Sequence, residues 1–135
     1  MAVFLVKTEP STYSYADLVR DGRTVWDGVS NPVALRNLAT IRKGDTVIVY
    51  HTGDEKQAVG LATAASDAYA DPKLKDAKRW VVDLVPAKSL ASPVTLAQVK
   101  TDAVLKANDL ARLPRLSVIP FTAAQFKRLL DLARA

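Results

Sequence analysis

Apolar and polar positions along this chain change period several times, and each change marks an element. Val3-Phe4-Leu5-Val6-Lys7 is an apolar run that predicts a strand. It stops at Thr8-Glu9-Pro10, where proline has no amide hydrogen to continue a ladder. Ser14-Tyr15-Ala16-Asp17 has the form of a helix N-cap whose third residue can return a hydrogen bond, so a helix is predicted over 15–20, ending before Gly22. Residues 23–28 suit a brief extended piece carrying Trp26. Asn31-Pro32 predicts a second helix, with asparagine capping and proline at the first helical position. Ala34, Leu35, Leu38 and Ile41 follow at helical spacing, and Lys43-Gly44-Asp45 closes the segment.

The middle of the chain has the period of strands. Residues 46–51 and 57–65 are apolar and β-branched on either side of the polar turn Thr52-Gly53-Asp54-Glu55-Lys56, which predicts a hairpin. Residues 67–78 are polar, and 79–85 predict a third long strand with Pro86 ending it or marking an edge. Thr95-Leu96-Ala97-Gln98 is a capping box for a short helix, residues 100–110 predict another helical turn or two, and 115–120 a final strand. Thr122-Ala123-Ala124-Gln125 opens a last helix. Its Phe126, Leu129, Leu130 and Ala133 form a stripe suited to packing on a sheet. With no repeat, linker or low-complexity tract, the pattern predicts one α+β domain over residues 1–135.

Composition narrows the chemistry. At 135 residues the chain can bury enough surface to fold without a metal or disulfide staple. It has no cysteine, which excludes disulfides, thiol nucleophiles, iron–sulfur clusters and cysteine-bearing zinc sites. One histidine, His51, leaves no paired-imidazole metal site, and no cofactor is implied. Nineteen basic against fourteen acidic residues, a formal charge of +5, leans towards an anionic partner without compelling one. The apolar runs fall short of the ~20 residues of a membrane span. The first residues lack a basic n-region and cleavage site, so a cytoplasmic protein is expected.

No phosphate-cradling or nucleophile-elbow motif is present, and the five glycines cannot form one of those kinds. Taken alone, His51 reads as a polar side chain at a strand end, hydrogen-bonded to its neighbours. Trp26 alone reads as core, yet it stands beside Asp27-Gly28 and a helix N-terminus, from which amide groups can reach a ligand. Lys7-Thr8-Glu9-Pro10 alone reads as turn punctuation.

Together these segments resemble the EVE domain family, a PUA-like branch related to ASCH and YTH domains. The resemblance is carried by Phe4-Leu5-Val6-Lys7-Thr8-Glu9-Pro10, Tyr13-Ser14-Tyr15-Ala16-Asp17-Leu18 and Trp26-Asp27-Gly28-Val29-Ser30-Asn31. It continues through Lys43-Gly44-Asp45, Tyr50-His51-Thr52, Val59-Gly60-Leu61-Ala62, Tyr69-Ala70-Asp71-Pro72, Pro93-Val94-Thr95-Leu96 and Arg115-Leu116-Ser117-Val118, in family order over nearly the whole chain. It implies an α+β fold: a PUA-like, mostly antiparallel β pseudo-barrel surrounded by short α-helices. It also implies a surface pocket for a flipped base of modified DNA or RNA, or for a nucleoside-like small molecule, with no metal and no membrane. An extruded base needs a stacking face, polar groups for its edge and cations for flanking phosphates.

Carried over residue by residue, the resemblance makes Trp26 a pocket wall, with the aromatic Phe4 standing where many members have tryptophan. Lys7 and Thr8 would supply a donor and a hydroxyl, Asn31 a side-chain amide, Tyr50 and His51 the opposite side, and Ser117 an approach from the last strand. Lys43, Lys73, Lys75, Lys78, Arg79 and Arg115 would contact phosphates. Many members also have arginine, tyrosine and glutamine where this chain has Ser30, Pro32 and Val33; its Asn31-Pro32, with Thr52-Gly53-Asp54-Glu55-Lys56 after the histidine, resembles a shorter bacterial subgroup, and its 71–80 stretch is also abbreviated. These departures predict that the pocket is kept while its ligand differs. The competing class is a small enzyme, since ASCH-like relatives include hydrolases and nucleases. It would need Lys7, Glu9 or His51 beside a nucleophile. An interaction module with a vestigial pocket is the third reading.

Overall fold

A computed structural model describes residues 1–74 and 78–134. In chain order the first half forms β1 (Val3–Thr8), α1 (Tyr15–Asp21), β2 (Thr24–Trp26), α2 (Pro32–Ala39), β3 (Thr46–His51) and β4 (Gln57–Ala64). The second half forms β5 (Tyr69–Ala70), β6 (Trp80–Thr95), α3 (Leu96–Thr101), a 3₁₀ turn (Leu105–Ala107), α4 (Asp109–Arg112), β7 (Val118–Phe121) and α5 (Ala123–Ala133). The strands follow the order β2-β6-β4-β3-β1-β7, with β5 paired to β6, in a sheet curled into a half-barrel. Only β1 and β3 run parallel among these pairs; the rest are antiparallel.

β1 is apolar throughout because it has a strand on each side and elements over both faces, so Val3, Phe4, Leu5 and Val6 are all buried. Its register sets Lys7 opposite Tyr50 and Thr8 opposite His51, where the strand leaves the core. The helices start where the sequence chemistry places them. Ser14, Thr95 and Thr122 each complete a reciprocal capping box, and the Asn31 carboxamide oxygen accepts from the amides of Val33 and Ala34. Leu129 and Ala133 of the α5 stripe are buried and Phe126 and Leu130 half-buried. Gly60 is required by close approach, because a Cβ there would run into the Tyr15 ring.

Four expected boundaries move. β6 passes through Pro86 and continues to Thr95. β2 flanks β6 only between Val82 and Leu84, and the pairing with β4 shifts between Leu61 and Ala62, so proline sits at an irregular, one-sided stretch where its missing N–H is tolerated. α2 stops at Ala39, and Ile41 is buried from a tighter turn in which its amide donates to Leu38 O at 3.0 Å. Residues 100–110 split into the end of α3, the 3₁₀ turn and α4, because Asp102 and Asn108 restart the backbone with their side-chain oxygens. The last strand begins at Val118, not 115; Ser117 precedes it, though its carbonyl already accepts from Lys7 N at 3.1 Å.

Candidate functional site

The end of β1, the segment leading into α1, β2 with the loop after it, and the turn before β7 surround a cavity of about 640 Å³. That volume lies within the usual range for small-ligand sites. Trp26 ends β2 as part of the buried core, 8% exposed, while it also lines the cavity, and its neighbour Val25 is exposed, the alternation expected of a strand. Gly28, at φ 77°, then reverses the chain in a conformation that favours glycine, which returns the backbone through Val29 and Ser30 to Asn31 at the start of α2. Tyr13 sets its ring edge-on to Trp26 at 6.3 Å between centroids. Its own hydroxyl donates to Asp21 Oδ2 at 2.9 Å, and burial is the first cause of its raised pKa.

Polar groups around this aromatic pair are only partly used by the fold. The Thr8 hydroxyl donates to Tyr13 O at 2.6 Å and thereby fixes the backbone beneath Tyr13. Asn31 spends its oxygen on the helix cap, and its Nδ2 makes no hydrogen bond with the described residues, so it has a donor to offer. The Lys7 ammonium donates to Pro114 O at 2.9 Å and lies 5.7 Å from the centre of the Tyr50 ring. Burial holds its pKa below the ordinary lysine value. Arg115 is exposed and forms no ion pair among the described residues. Among the described residues Asp27 is the one carboxylate lining the cavity.

Of the eight residues expected to bind the ligand, Lys7, Thr8, Trp26, Asn31 and Ser117 line this cavity; Phe4, Tyr50 and His51 do not. Phe4 is buried in β1 between Val47 and Pro120, so its ring belongs to the core. Tyr50 is buried as well and reaches the site only as the surface beneath Lys7. His51 holds the fold together: its Nε2 accepts from Tyr15 N at 3.0 Å, which makes Nδ1 the protonated nitrogen facing Glu55 Oε1 at 2.9 Å. That is the role its position alone suggested. Glu9, the third candidate for catalysis, accepts from the amide and hydroxyl of Ser11 and does not line the cavity.

Among the phosphate-contact candidates that lie within the described residues, only Arg115 lines the cavity. Lys43 is exposed beside the Gly44 turn, and its amide donates to Asp67. Lys73 is exposed after Asp71, Lys78 is exposed and Arg79 half-buried at the approach to β6, and Lys75 lies outside the described residues. The residues not foreseen are Thr12, Tyr13, Thr24, Val25, Asp27, Gly28, Val29 and Ser30. Tyr13 signalled itself only through the Tyr13-Ser14-Tyr15 cap, which reads equally well as packing. Among the described residues no helix is long and apolar enough to cross a membrane, and no group of three or more His, Asp or Glu could hold a metal ion.

A curled half-barrel ringed by short helices is the architecture of a PUA-like domain. The EVE domain model matches residues 2–132, and the chain belongs to the EVE domain family. It is similar to the protein Rpa0253 of Rhodopseudomonas palustris, with a TM-score of 0.94 and 37% identity over 99% of this chain and 94% of that one. It is also similar to human THYN1 in complex with 5-methylcytosine containing DNA, with a TM-score of 0.90 and 26% identity over 100% and 99% of the two chains. The YTH domain of Zygosaccharomyces rouxii MRB1 in complex with N6-methyladenosine RNA shares the fold, with a TM-score of 0.61 and 17% identity over 98% and 86%. No curated protein sequence matches the chain.

Proposed function

We propose that this chain is a non-catalytic binding module that holds one modified nucleobase, turned out of a DNA or RNA strand, in the Trp26 cavity. The observation that carries the reading is the pairing of an indole wall, braced edge-on by Tyr13, with unspent edge donors and two cations around one opening. Each part has a task in base recognition. The indole offers a stacking face, Asn31 Nδ2 and the Ser117 hydroxyl offer hydrogen bonds to the base edge, and Lys7 and Arg115 offer charge to the backbone. The complex of the similar human protein with 5-methylcytosine containing DNA supports the same reading. Ser30 and Val33 bring neither a guanidinium nor an amide to the edge, so discrimination rests on Asn31 and Ser117.

Trp26 reports on its own occupancy. In a Trp80→Phe variant it is the sole tryptophan, since the chain has two. Titration with short oligonucleotides carrying 5-methylcytosine, N6-methyladenine or their unmodified parents is expected to quench its fluorescence saturably for a modified base and much less for its parent. Absence of quenching and of any thermal shift across the panel overturns the proposal.

A further inference from the structure

Among the described residues Lys7 is the one amine that lines the Trp26 cavity. Its setting differs from that of an ordinary surface lysine. The Lys127 side chain is 80% exposed with Asp131 Oδ2 at 3.6 Å, whereas Lys7 is half-buried and forms no ion pair among the described residues. Its backbone is pinned at the end of β1, where the Lys7 amide donates to Ser117 O at 3.1 Å. Its nitrogen donates to Pro114 O at 2.9 Å and lies 5.7 Å from the centre of the Tyr50 ring, so one hydrogen bond and one ring face locate the side chain. A neutral amine has two N–H groups and a lone pair, and the bond to Pro114 O uses a single N–H, which leaves the lone pair available. Burial without a carboxylate partner favours that neutral form, the direction in which the Lys7 pKa moves. The other ionisable groups lining the cavity are Tyr13, Asp27 and Arg115, and the guanidinium of Arg115 stays protonated and is no nucleophile.

We propose that Lys7 forms an imine with an aldehyde carried on a planar heterocycle seated against Trp26, so that the cavity captures formylated ligands covalently and reversibly. The inference rests on the reading of the Trp26 cavity given above and deepens it, because it names a formyl group as the substituent taken and an amine as the group that takes it. The step balances without a further reactant. The Nζ lone pair attacks the aldehyde carbon and a C–N bond forms; the carbinolamine then breaks its C–O bond, and the oxygen leaves as water with both amine hydrogens. Nothing is oxidised or reduced. Water reverses the reaction, so capture is stoichiometric and has no turnover. A methyl group in the same place offers no electrophile and is held by stacking and hydrogen bonds alone. The aromatic wall is what makes one lysine special, since a ring held in place presents its carbonyl to a fixed amine at a high effective concentration. Towards a ligand with no aldehyde, the ammonium form of the same side chain still offers charge to a backbone.

The aldehyde can come from a formylated base in a strand or from a free heteroaromatic aldehyde, and the test separates them. The full chain is incubated with a short DNA strand carrying one 5-formylcytosine, or with pyridoxal, in the presence of sodium cyanoborohydride, which reduces an imine to a stable amine. The same strand with 5-methylcytosine serves as a competitor that cannot react. Intact mass and peptide mapping are expected to show one adduct per chain, at Lys7, formed roughly tenfold or more faster than at any other amine. The competitor strand should suppress it, and Lys7→Arg should remove it. Selective labelling of Lys7 by pyridoxal alone, with no binding of either strand, supports the imine site, assigns it to a free aldehyde and overturns the nucleobase reading. Binding of the 5-methylcytosine strand with no preference for Lys7 in either aldehyde arm overturns the imine and leaves the Trp26 reading standing. A Trp26→Leu protein that is labelled at Lys7 equally fast shows a reactive amine with no seat for the ring, and also overturns the inference.

Discussion

Tyr13 meets Trp26 edge to face, with 81° between the ring planes, so the wall of the cavity is an aromatic pair in which one ring steadies the other. A steadied indole loses little freedom when a planar ligand stacks on it. Trp26→Leu keeps apolar bulk at the wall but removes the π face. Affinity for the best modified oligonucleotide is expected to fall by roughly 5- to 150-fold, the equivalent of ~1–3 kcal/mol of stacking. Calorimetric titration checks this, with circular dichroism confirming the fold; unchanged affinity would remove the indole from the site.

Among the described residues two cationic side chains line the cavity, Lys7 and Arg115. The salt dependence of oligonucleotide binding is therefore expected to be shallow, with a log–log slope of about 1 to 2, since each phosphate contact contributes roughly 0.7–0.9. Arg115→Ala should lower that slope by about one contact. A steep slope would mean that the outlying lysines also engage phosphates.

His51 accepts from the backbone amide of Tyr15 and does not line the cavity. His51→Leu leaves a buried amide without its acceptor, and urea unfolding is expected to show a loss of about 1–3 kcal/mol. Binding by the folded variant should match the wild type. A selective loss of binding at unchanged stability would return His51 to the site.

Tyr69 donates its hydroxyl to Asp83 Oδ1 at 2.6 Å, and Arg23 holds the other oxygen of that carboxylate at 2.7 Å. The hydrogen bond to Asp83, more than burial, pushes the Tyr69 pKa up to about 12. In the unfolded chain the phenol ionises near ~10, so between about pH 10 and 12 the folded state holds more protons than the unfolded one. The stability this brace contributes is thus complete below about pH 10 and is lost as the pH rises towards 12. Tyr69→Phe should flatten that alkaline decline in urea midpoints measured across the same interval. Parallel declines in the two proteins would show that the brace contributes nothing.

Gly60 gives its missing side chain's space to the Tyr15 ring, whose hydroxyl donates to Leu61 O at 2.7 Å. Gly60→Ala is expected to cost about 1–3 kcal/mol, the usual range for overpacking, read as a lower thermal midpoint. The second variant Gly60→Ala/Tyr15→Leu should recover part of it, which separates the clash from a backbone effect.

What the sequence determined by itself is local. The capping boxes at Ser14, Thr95 and Thr122, the Asn31-Pro32 helix start and the β3–β4 hairpin each depend on residues a few positions apart, so their chemistry is readable in the chain. Lys7, Thr8, Trp26 and Asn31 were legible as a group only through an ordered set of motifs. Tertiary structure decided the rest, because a strand's period says which positions share a face but not which face meets an opening. The parallel pairing of β1 with β3 put Phe4 and Tyr50 in the core and turned His51 towards Tyr15. The return of the chain before β7 brought Arg115 and Ser117, some ninety positions away along the chain, to the edge of the Trp26 cavity. Contacts of that separation are set by how the whole sheet curls, and no local pattern encodes them.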